Sequence, residues 1–464
     1  MGTALGAMVA MSPVVGVVVA GLGGASGCAS AESVALDREL AALARARGLA
    51  GEPVRTGPRE GSEDETDKGL DGEVDARRAV ALVLARNPRL DAMRAAWAAM
   101  QAEVTVARAQ PEPTLEVGIS PLSLPSGRGQ KVGLSWPLSW PGLVDARGRA
   151  ALGAAVAGGH EVAALRVELG KMAAELVWEV GLAQAVEGLW HEHHRVLETL
   201  RQGALARFST GRGAPEDAVR ADAELAMAER DVMEARRMGE IAKGQLNALM
   251  HRAPDAPLVV APLPTALPPS PPELAVALEM ARARRPELSA ARARVDGLLA
   301  GVQAAEKETR PMMAVGVEVS TMPDDAMMWP MLTFMVGLPL DGARRDAEVE
   351  AAKARVDAAR GEARALEDTV AGEVARWRSE LVLALELLGV TDGALVPARL
   401  KTLDLAMAGY AAGRKDFELV VMAASELLEA RIGRVRLVAQ AYAAATRLEA
   451  ALGAAVRDTE RAHE

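Results

Sequence analysis

Two stretches of this chain alternate apolar side chains with polar or small ones, which is the pattern of a β-strand with one apolar face. They run over 111–138 and 311–340, and in each a loop separates two alternating segments, so each predicts a β-hairpin. Most of the remaining sequence is rich in Ala, Leu, Arg and Glu, and only 3% of the residues are aromatic, a composition typical of long helices. The sequence therefore predicts four strands in a mainly helical protein, and the edges of these strands need hydrogen-bonding partners.

The two strand pairs belong to two tandem repeats. The motif Asn/Arg-Pro-x-Leu stands at 87–90 and again at 285–288, which is 198 residues later. An aromatic-x-x-Gly motif stands at 208–211 and again at 410–413, which is 202 residues later. Distant motifs repeated in the same order and with nearly the same offset indicate an internal duplication.

Each repeat predicts a helix, a strand pair, a very long helix, a tight turn and a returning helix. The long helix from Asp145 to Ala206 contains no proline and would span about 90 Å at ~1.5 Å per residue. Its counterpart runs from Gly342 to Met407, where Pro397 predicts a kink. The turns fall at 208–215 and 410–415. Helices of this length with heptad-spaced apolar residues predict long antiparallel coiled coils.

The N-terminus predicts export. No charged side chain occurs between Met1 and Gly27, as in a secretory signal, and Cys28 is the only cysteine. Residues 25–28 resemble a bacterial lipobox, which predicts lipidation of Cys28; the alternative is a signal peptide with an incidental cysteine. The predicted domains are a signal peptide over 1–27, a lipidated tether over 28–73, repeat 1 over 74–253, a proline-rich linker over 254–272, repeat 2 over 273–455 and a tail over 456–464.

Charge and motifs exclude other classes of protein. The net charge of −10 offers no basic face to phosphates, so we expect no nucleic-acid partner. No nucleophile–base pair, phosphate loop or carboxylate pair is recognisable, so we expect neither an enzyme nor a cofactor. Past the N-terminus no eighteen-residue run of uncharged apolar residues occurs, so no transmembrane helix is predicted.

The predicted strands have faces suited to a membrane barrel. Closing a small barrel takes about eight strands, so a chain with four would have to pool strands with its own copies. The aromatic residues in or beside the second strand of each pair fit a belt at the membrane surface: Trp136, Trp140, Trp329 and Phe334. The opposite strand faces suit a water-filled lumen and carry Glu116, Lys131, Ser135, Glu318 and Thr333. The alternative is a half-buried hairpin on a soluble domain.

Over 74–455, the duplicated Asn/Arg-Pro-x-Leu motif, the Pro-Leu ending of each second strand and the aromatic-x-x-Gly turns resemble the outer-membrane efflux protein (TolC-like) family. The resemblance implies a mainly α fold with a small β part, in which each repeat gives one hairpin to a trimeric, twelve-stranded outer-membrane barrel. It also implies a periplasmic helical tunnel, outer-membrane lipid around the barrel, and a periplasmic adaptor and inner-membrane transporter as partners. The turn Trp140-Pro141-Gly142 resembles the branch serving resistance-nodulation-division pumps.

The resemblance also assigns roles to the two turns. It makes them periplasmic tips that dock an adaptor, with the candidate residues Phe208, Gly211, Arg212, Tyr410, Gly413, Arg414 and Lys415. The alternative is that the glycines only end helices and the charges are solvated. Family members often constrict the pore with aspartates after the second tip. The aligned positions here hold Leu419 and Met422, with Asp416 and Glu418 nearby, so a hydrophobic constriction is the alternative to an acidic one.

Two residue clusters have a metal-site interpretation and a packing interpretation. His191, His193 and His194 contain no i,i+4 histidine pair, and His193 lies on the heptad seam, which favours packing. The methionines of 312–335 lie on strands or their loop, where methionine fills apolar surface, so no metal site is predicted. The rival functions are a periplasmic adaptor lipoprotein and a pore-free periplasmic coiled coil. Neither accounts for two amphipathic hairpins.

Overall fold

The computed structural model describes residues 72–120, 129–211, 213–322 and 325–453. The predictions for the signal peptide, for Cys28 and the tether up to residue 71, for Arg212 and for the tail over 456–464 lie outside these ranges.

Both repeats contain the predicted elements in the predicted order, except that two helices rather than one precede each strand pair. Repeat 1 holds α1 (Ala76–Arg86), α2 (Pro88–Ala107), β1 (Thr114–Ser120), β2 (Gly129–Leu138), α3 (Leu143–Ser209) and α4 (Pro215–Leu249). Repeat 2 holds α5 (Leu274–Arg284), α6 (Pro286–Glu308), β3 (Met312–Met322), β4 (Asp325–Gly337), α7 (Gly342–Val390), a π-helical turn (Thr391–Leu395), α8 (Val396–Ala411) and α9 (Phe417–Ala451). The mainly helical fold with a small β part is thus confirmed.

The residue before each motif proline joins the start of a repeat to its end. The Asn87 side-chain oxygen accepts the N–H of Arg89 (3.0 Å) and so caps α2. The Asn87 amide nitrogen donates to the carbonyl of Leu249 (2.9 Å), the last residue of α4. In repeat 2, Arg285 donates to the carbonyl of Ala451 (3.4 Å), the last residue of α9. The motif therefore satisfies carbonyl groups that a helix end leaves without a partner.

The four strands form one antiparallel sheet in the order β1-β2-β3-β4. The two hairpins meet where β2 pairs with β3, so that Trp136 stands beside Val315, which in turn stands beside Phe334. The sequence predicted both hairpins but not their pairing with each other. Among the described residues, β1 and β4 each keep one edge without a strand partner.

A tryptophan at the base of the sheet connects it to the helices. The Trp140 indole nitrogen donates to the carbonyl of Pro311 (2.7 Å), just before β3. The Arg310 guanidinium lies 5.3 Å from the centre of the Trp140 ring. The ring packs with Leu143 and Ala304, from α3 and α6. One side chain thus contacts both hairpin bases and the helices below them.

The first long helix is continuous, as its lack of proline predicts, and the second is interrupted near its proline. Helix α3 has 67 residues, a span of about 100 Å at ~1.5 Å per residue. Near Pro397 the second long helix is interrupted, and the interruption takes the form of a π-helical turn that ends just before α8. Arg434 of α9 holds this turn by donating to both carboxylate oxygens of Asp392 (2.5 and 3.2 Å). The wide turn accommodates a proline that has no N–H to donate.

The helical run from Gly342 to Ala411 includes an eighteen-residue window whose length and mean hydropathy, 1.7, would allow it to cross a membrane. Only 22% of that window is buried. The sequence analysis considered only runs of eighteen uncharged residues and therefore did not predict this window, in which a few charged residues are outweighed by apolar ones. Exposed apolar side chains on this run include Leu383, Leu387, Val390 and Leu395.

Helices α3 and α6 touch through their backbones. A Cβ atom built on Gly153 would lie 2.3 Å from the Cα atom of Gly297, and one built on Gly297 would lie 3.1 Å from the carbonyl oxygen of Ala150. Atoms at the first distance overlap, so any side chain at 153 has to push the two helices apart.

We expect Gly153→Ala to destabilise the protein by ~1–3 kcal/mol, the usual range for overpacking. Gly188 is the matched control, because it lies in the same helix and a Cβ there would meet no heavy atom within 4 Å. Gly188→Ala should be neutral or stabilising, since alanine is the better helix former by about 1 kcal/mol. Thermal unfolding followed by circular dichroism in detergent measures both. Equal midpoints for the two variants would contradict the close backbone contact.

Candidate functional site

Both turns between antiparallel helices are built on a glycine in the left-handed region. Gly211 has φ 71° and Gly413 has φ 68°, values that side-chain-bearing residues rarely adopt. After α8 the N–H of Gly413 donates to Tyr410 (2.9 Å) and the N–H of Arg414 donates to Gly409 (2.9 Å). This pair of hydrogen bonds is a Schellman motif. In repeat 1 the N–H of Gly211 likewise donates to the carbonyl of Phe208 (2.9 Å), which accounts for the spacing from aromatic residue to glycine that the two repeats share.

Tyr410 connects the two turns. Its ring packs edge-on against Phe417 of α9, with 5.6 Å between ring centres. The Arg207 guanidinium of α3 lies 4.5 Å from the centre of the same ring. The Tyr410 hydroxyl donates to a carboxylate oxygen of Asp217 on α4 (3.3 Å). We call these four residues, Arg207, Asp217, Tyr410 and Phe417, the tip joint.

Electrostatics in the tip joint favour its hydrogen bonds. Burial, followed by the nearby Asp217 carboxylate, raises the pKa of Tyr410 above its usual value, so the phenol stays protonated and donates at neutral pH. Arg207 also donates to the carbonyls of Tyr410 and Ala411 at the end of α8. A cation there is favoured because the last carbonyls of a helix carry partial negative charge.

The two motif aromatics have different surroundings. Tyr410 is 8% exposed, whereas Phe208 is 49% exposed. Sequence analysis grouped them as docking residues; the structure brings Tyr410 inside the tip joint and leaves Phe208 at the surface. Arg414 and Lys415 are exposed, and the Lys415 methylenes lie over Gly409, where a Cβ would approach the Lys415 Cδ to 2.8 Å. Sequence analysis missed Arg207 and Asp217, because nothing in the sequence marks them as neighbours of Tyr410.

The four constriction candidates lie in or just before the first turns of α9. Leu419 and Met422 are exposed and three residues apart, so they share one side of the helix, next to the buried Val420 and Val421. Glu418 forms an ion pair with Arg220 of α4 (2.9 Å). Asp416 is the N-cap residue of α9 and makes no side-chain capping bond.

A cleft of about 570 Å³ lies farther along α9, between it, α3 and α7. Charged side chains line it: Glu175, Glu179, Glu380, Arg436 and Arg447. Arg447 donates to Glu175 (2.5 Å) and stacks 4.8 Å from the centre of the Trp377 ring. Burial, followed by the charge of Glu175, raises the pKa of Glu179. Sequence analysis missed this cleft, since its residues come from three helices that are distant in sequence.

On the sheet, a charged cluster marks the face opposite Trp136. Lys131 pairs with Glu116 of β1 (3.1 Å) and with Glu318 of β3 (3.7 Å). Its side chain lies across Gly118, where a Cβ would come within 2.6 Å of it. Because strand side chains alternate, the charged and aromatic residues lie on opposite faces.

Three of the four predicted belt residues lie in strands, and the fourth lies beside the sheet. Trp136 and Phe334 lie in one row across it, and Trp140 lies at its base. For Trp329 the structure describes only the backbone, which pairs with Ser320.

Of the three clustered histidines, His193 packs in the interior, whereas His191 is exposed. His193 is buried and meets the ring of Trp190 edge-on at 5.8 Å. Burial, followed by the adjacent His194, lowers the pKa of His193, so the ring is neutral at neutral pH. Among the described residues no group of three or more His, Cys, Asp or Glu side chains is arranged to hold a metal ion.

The family model described as outer membrane efflux protein matches residues 79–250 and 277–454. Similar solved structures include the outer-membrane channel OprN, with TM-score 0.71 and 20% identity over 82% of this chain and 89% of that one. VceC from Vibrio cholerae gives TM-score 0.71 and 18% identity over 82% and 96%. The open state of MtrE from Neisseria gonorrhoeae gives 0.68 and 19% over 82% and 89%.

A comparison with curated protein sequences gave no match. The family match covers most of both repeats, and the solved structures share the fold. The chain is therefore a member of the outer membrane efflux protein family, an outer-membrane protein with the channel fold whose helices extend into the periplasm.

Proposed function

We propose that this protein is the outer-membrane channel of a tripartite efflux pump. Three copies form the channel, and it carries small molecules or ions from a periplasmic adaptor and inner-membrane transporter to the exterior. The observation that carries the proposal is the four-stranded sheet in which, within the described part of the chain, β1 and β4 each have one edge without a strand partner.

Unpaired strand edges cannot face lipid. Each backbone N–H or C=O left without a partner in hydrocarbon costs several kcal/mol, so a membrane sheet has to close on itself. Four strands are too few for closure, because small barrels need about eight. Three copies supply twelve strands and close the ring when β4 of each copy pairs with β1 of the next.

The two faces of the sheet fit such a barrel. The row that contains Trp136, Val315 and Phe334 suits lipid and the membrane surface. The face with Lys131 between Glu116 and Glu318 suits a water-filled lumen, where ion pairs remain hydrated. Neither a periplasmic adaptor nor a pore-free coiled coil accounts for a sheet that has one apolar face, one charged face and open edges.

The turns supply the surface for the adaptor. Arg414 and Lys415 are exposed beside the second turn, and Phe208 is exposed beside the first. Exposed cations and an aromatic ring fit the tip of a helical hairpin that presents carboxylates and apolar residues.

Cys28 is proposed as a lipid anchor on the evidence of the sequence around it. Mass spectrometry of the mature N-terminus decides between a lipid-modified Cys28 and simple signal-peptide cleavage.

The proposed function predicts a trimer that conducts ions. Detergent-purified protein should have the mass of three chains by light scattering and should produce discrete conductance steps in planar bilayers. Adaptor and transporter should copurify after cross-linking in cells. A monomer that stays soluble without detergent and passes no ions would refute the proposal.

The tip joint should hold the channel closed. Arg207→Ala removes the stacking on Tyr410 and the hydrogen bonds to the end of α8, together worth ~1–3 kcal/mol. We expect open events in planar bilayers to become about tenfold more frequent, as a loss of ~1.4 kcal/mol implies. Arg201→Ala is the control, because Arg201 lies on the same helix but pairs with Asp222 at the surface. Equal open frequencies in the two variants would mean that the tip joint does not control opening of the channel.

Met422 is proposed as part of the pore constriction, and Met422→Asp would place a ring of three carboxylates there. We expect permeability for cations over anions to increase, because fixed negative charge in a narrow pore attracts cations. Met422→Asn, which adds polarity without charge, should leave that ratio near the wild-type value. Reversal potentials in a salt gradient measure both variants. An unchanged ratio in Met422→Asp would mean that residue 422 does not line the pore.

A further inference from the structure

The cleft of about 570 Å³ between α3, α7 and α9 is large enough for a small molecule, since such sites usually measure ~300–1,000 Å³. Helices of a single chain form its walls. The apolar part of the lining consists mainly of leucines from all three helices: Leu182, Leu383, Leu387 and Leu437. Leu383 is 55% exposed and Leu387 is 43% exposed, although α7 packs against α9 here. The cleft therefore presents an uncovered apolar surface.

Two of the charged side chains that line the cleft have no partner. The other three are paired, Glu175 with Arg447 and Glu380 with Arg376. Glu179 and Arg436 form no hydrogen bond and no ion pair with any residue that the structure describes. Burial, followed by the charge of Glu175, raises the pKa of Glu179, so the protein itself does not stabilise this carboxylate. A cationic ligand would do so.

The two unpaired charges are separated by a definite distance along the cleft. Helices α3 and α9 are antiparallel, with Glu175 beside Arg447. Glu179 lies four residues after Glu175, and Arg436 lies eleven residues before Arg447, in the same direction along the cleft. At ~1.5 Å per residue these steps are ~6 and ~16 Å, which leaves about 10 Å between the two charges. The leucines lie along this interval.

Contacts of the inter-repeat linker show on which face of the helices the cleft opens. Gln184 of α3, Arg378 of α7 and Tyr442 of α9 each donate a hydrogen bond to a carbonyl of the linker. Each of these donors stands two residues from a residue that lines the cleft, namely Leu182, Glu380 and Gln440. Two residues turn an α-helix by about 200°. The linker and the cleft therefore lie on opposite faces of the helices.

In the proposed channel the linker face has to be the outer one. The same face of α3 carries α1, whose Val80 lies against Gly170, where a Cβ would come within 3.4 Å of it. The linker and α1 form a second layer of chain, and a second layer inside the tube would fill the passage. The cleft on the opposite face consequently opens toward the passage.

We propose that this cleft binds a zwitterion with an apolar body about 10 Å long, such as a short apolar peptide with free termini, whose cation meets Glu179 and whose anion meets Arg436. The position of the site in the passage rests on the proposed function, whereas its chemistry does not. An extended tripeptide spans about 10 Å. A simple cation would leave Arg436 without a partner, and a neutral apolar molecule would leave both charges so.

Trileucine is a suitable probe, because it has free termini and the same side chains as the apolar lining. N-acetyl-trileucine lacks the cation, and trileucine amide lacks the anion. In titration calorimetry of the detergent-purified protein, we expect trileucine to bind about fivefold more tightly than either analogue, as one partly exposed ion pair implies. Equal binding of the three peptides, or no binding of trileucine, would overturn the proposal.

Two variants test which charge meets which terminus. Glu179→Gln should weaken binding of trileucine and of the amide about fivefold and leave N-acetyl-trileucine unchanged, because that analogue has no cation to lose. Arg436→Gln should weaken trileucine and N-acetyl-trileucine and leave the amide unchanged. Glu198→Gln is the control, since Glu198 lies on α3 nineteen residues from Glu179 and pairs with Arg201 (3.6 Å). A uniform loss for all three peptides in both variants would contradict the assigned contacts.

Ion current tests the position of the site. In planar bilayers trileucine should interrupt the current of the wild-type channel, and the interruptions should be about fivefold shorter in Glu179→Gln, because weaker binding mainly speeds release. Binding in calorimetry without interruptions would mean that the cleft does not open toward the passage, and would overturn that part of the proposal. A protein that passes no ions would instead refute the proposed function, while calorimetry would still decide the chemistry of the cleft.

Discussion

Within the described residues, the backbone N–H and C=O groups along one edge of β1 and one edge of β4 have no strand partner. This constraint shapes the rest of the structure, because those groups need hydrogen-bonding partners. Strands β1 and β4 present ladders of N–H and C=O groups, and the residues between them are apolar on one face. In water such edges invite aggregation, and in lipid they are prohibitively costly. The proposed closure with other copies would satisfy them, and the paired hairpins, the tryptophan at their base and the long helices all fit that proposal.

Much of this architecture could be read from the sequence because its signals are local. Strand alternation, proline at the first position of α2 and α6, and glycine at both turns each follow from the residue's own conformational preference. Because the two repeats are related by a nearly constant offset, an element recognised in one repeat supported the same assignment in the other. The π-helical turn near Pro397 shows the limit: proline predicts an interruption but not its form.

The parts that could not be predicted depend on which side chains meet across the fold. Asn87 stands just before a proline, where a helix cap is common, but its second partner, Leu249, lies 162 residues away in sequence. Arg207 and Asp217 look like ordinary surface charges of a helix until Tyr410 lies between them. Phe208 and Tyr410 look equivalent in sequence, and only burial separates them. Long-range pairing of this kind has no periodicity to detect.

The pairing of β2 with β3 has a consequence for how this protein could evolve. A ring built from six single-repeat chains would have one kind of junction, and any mutation would alter all six at once. Joining the repeats in one chain makes alternate junctions genetically independent. In the proposed trimer, selection can then strengthen one set of junctions and weaken the other, so that the ring loosens at every second junction while the intervening ones hold.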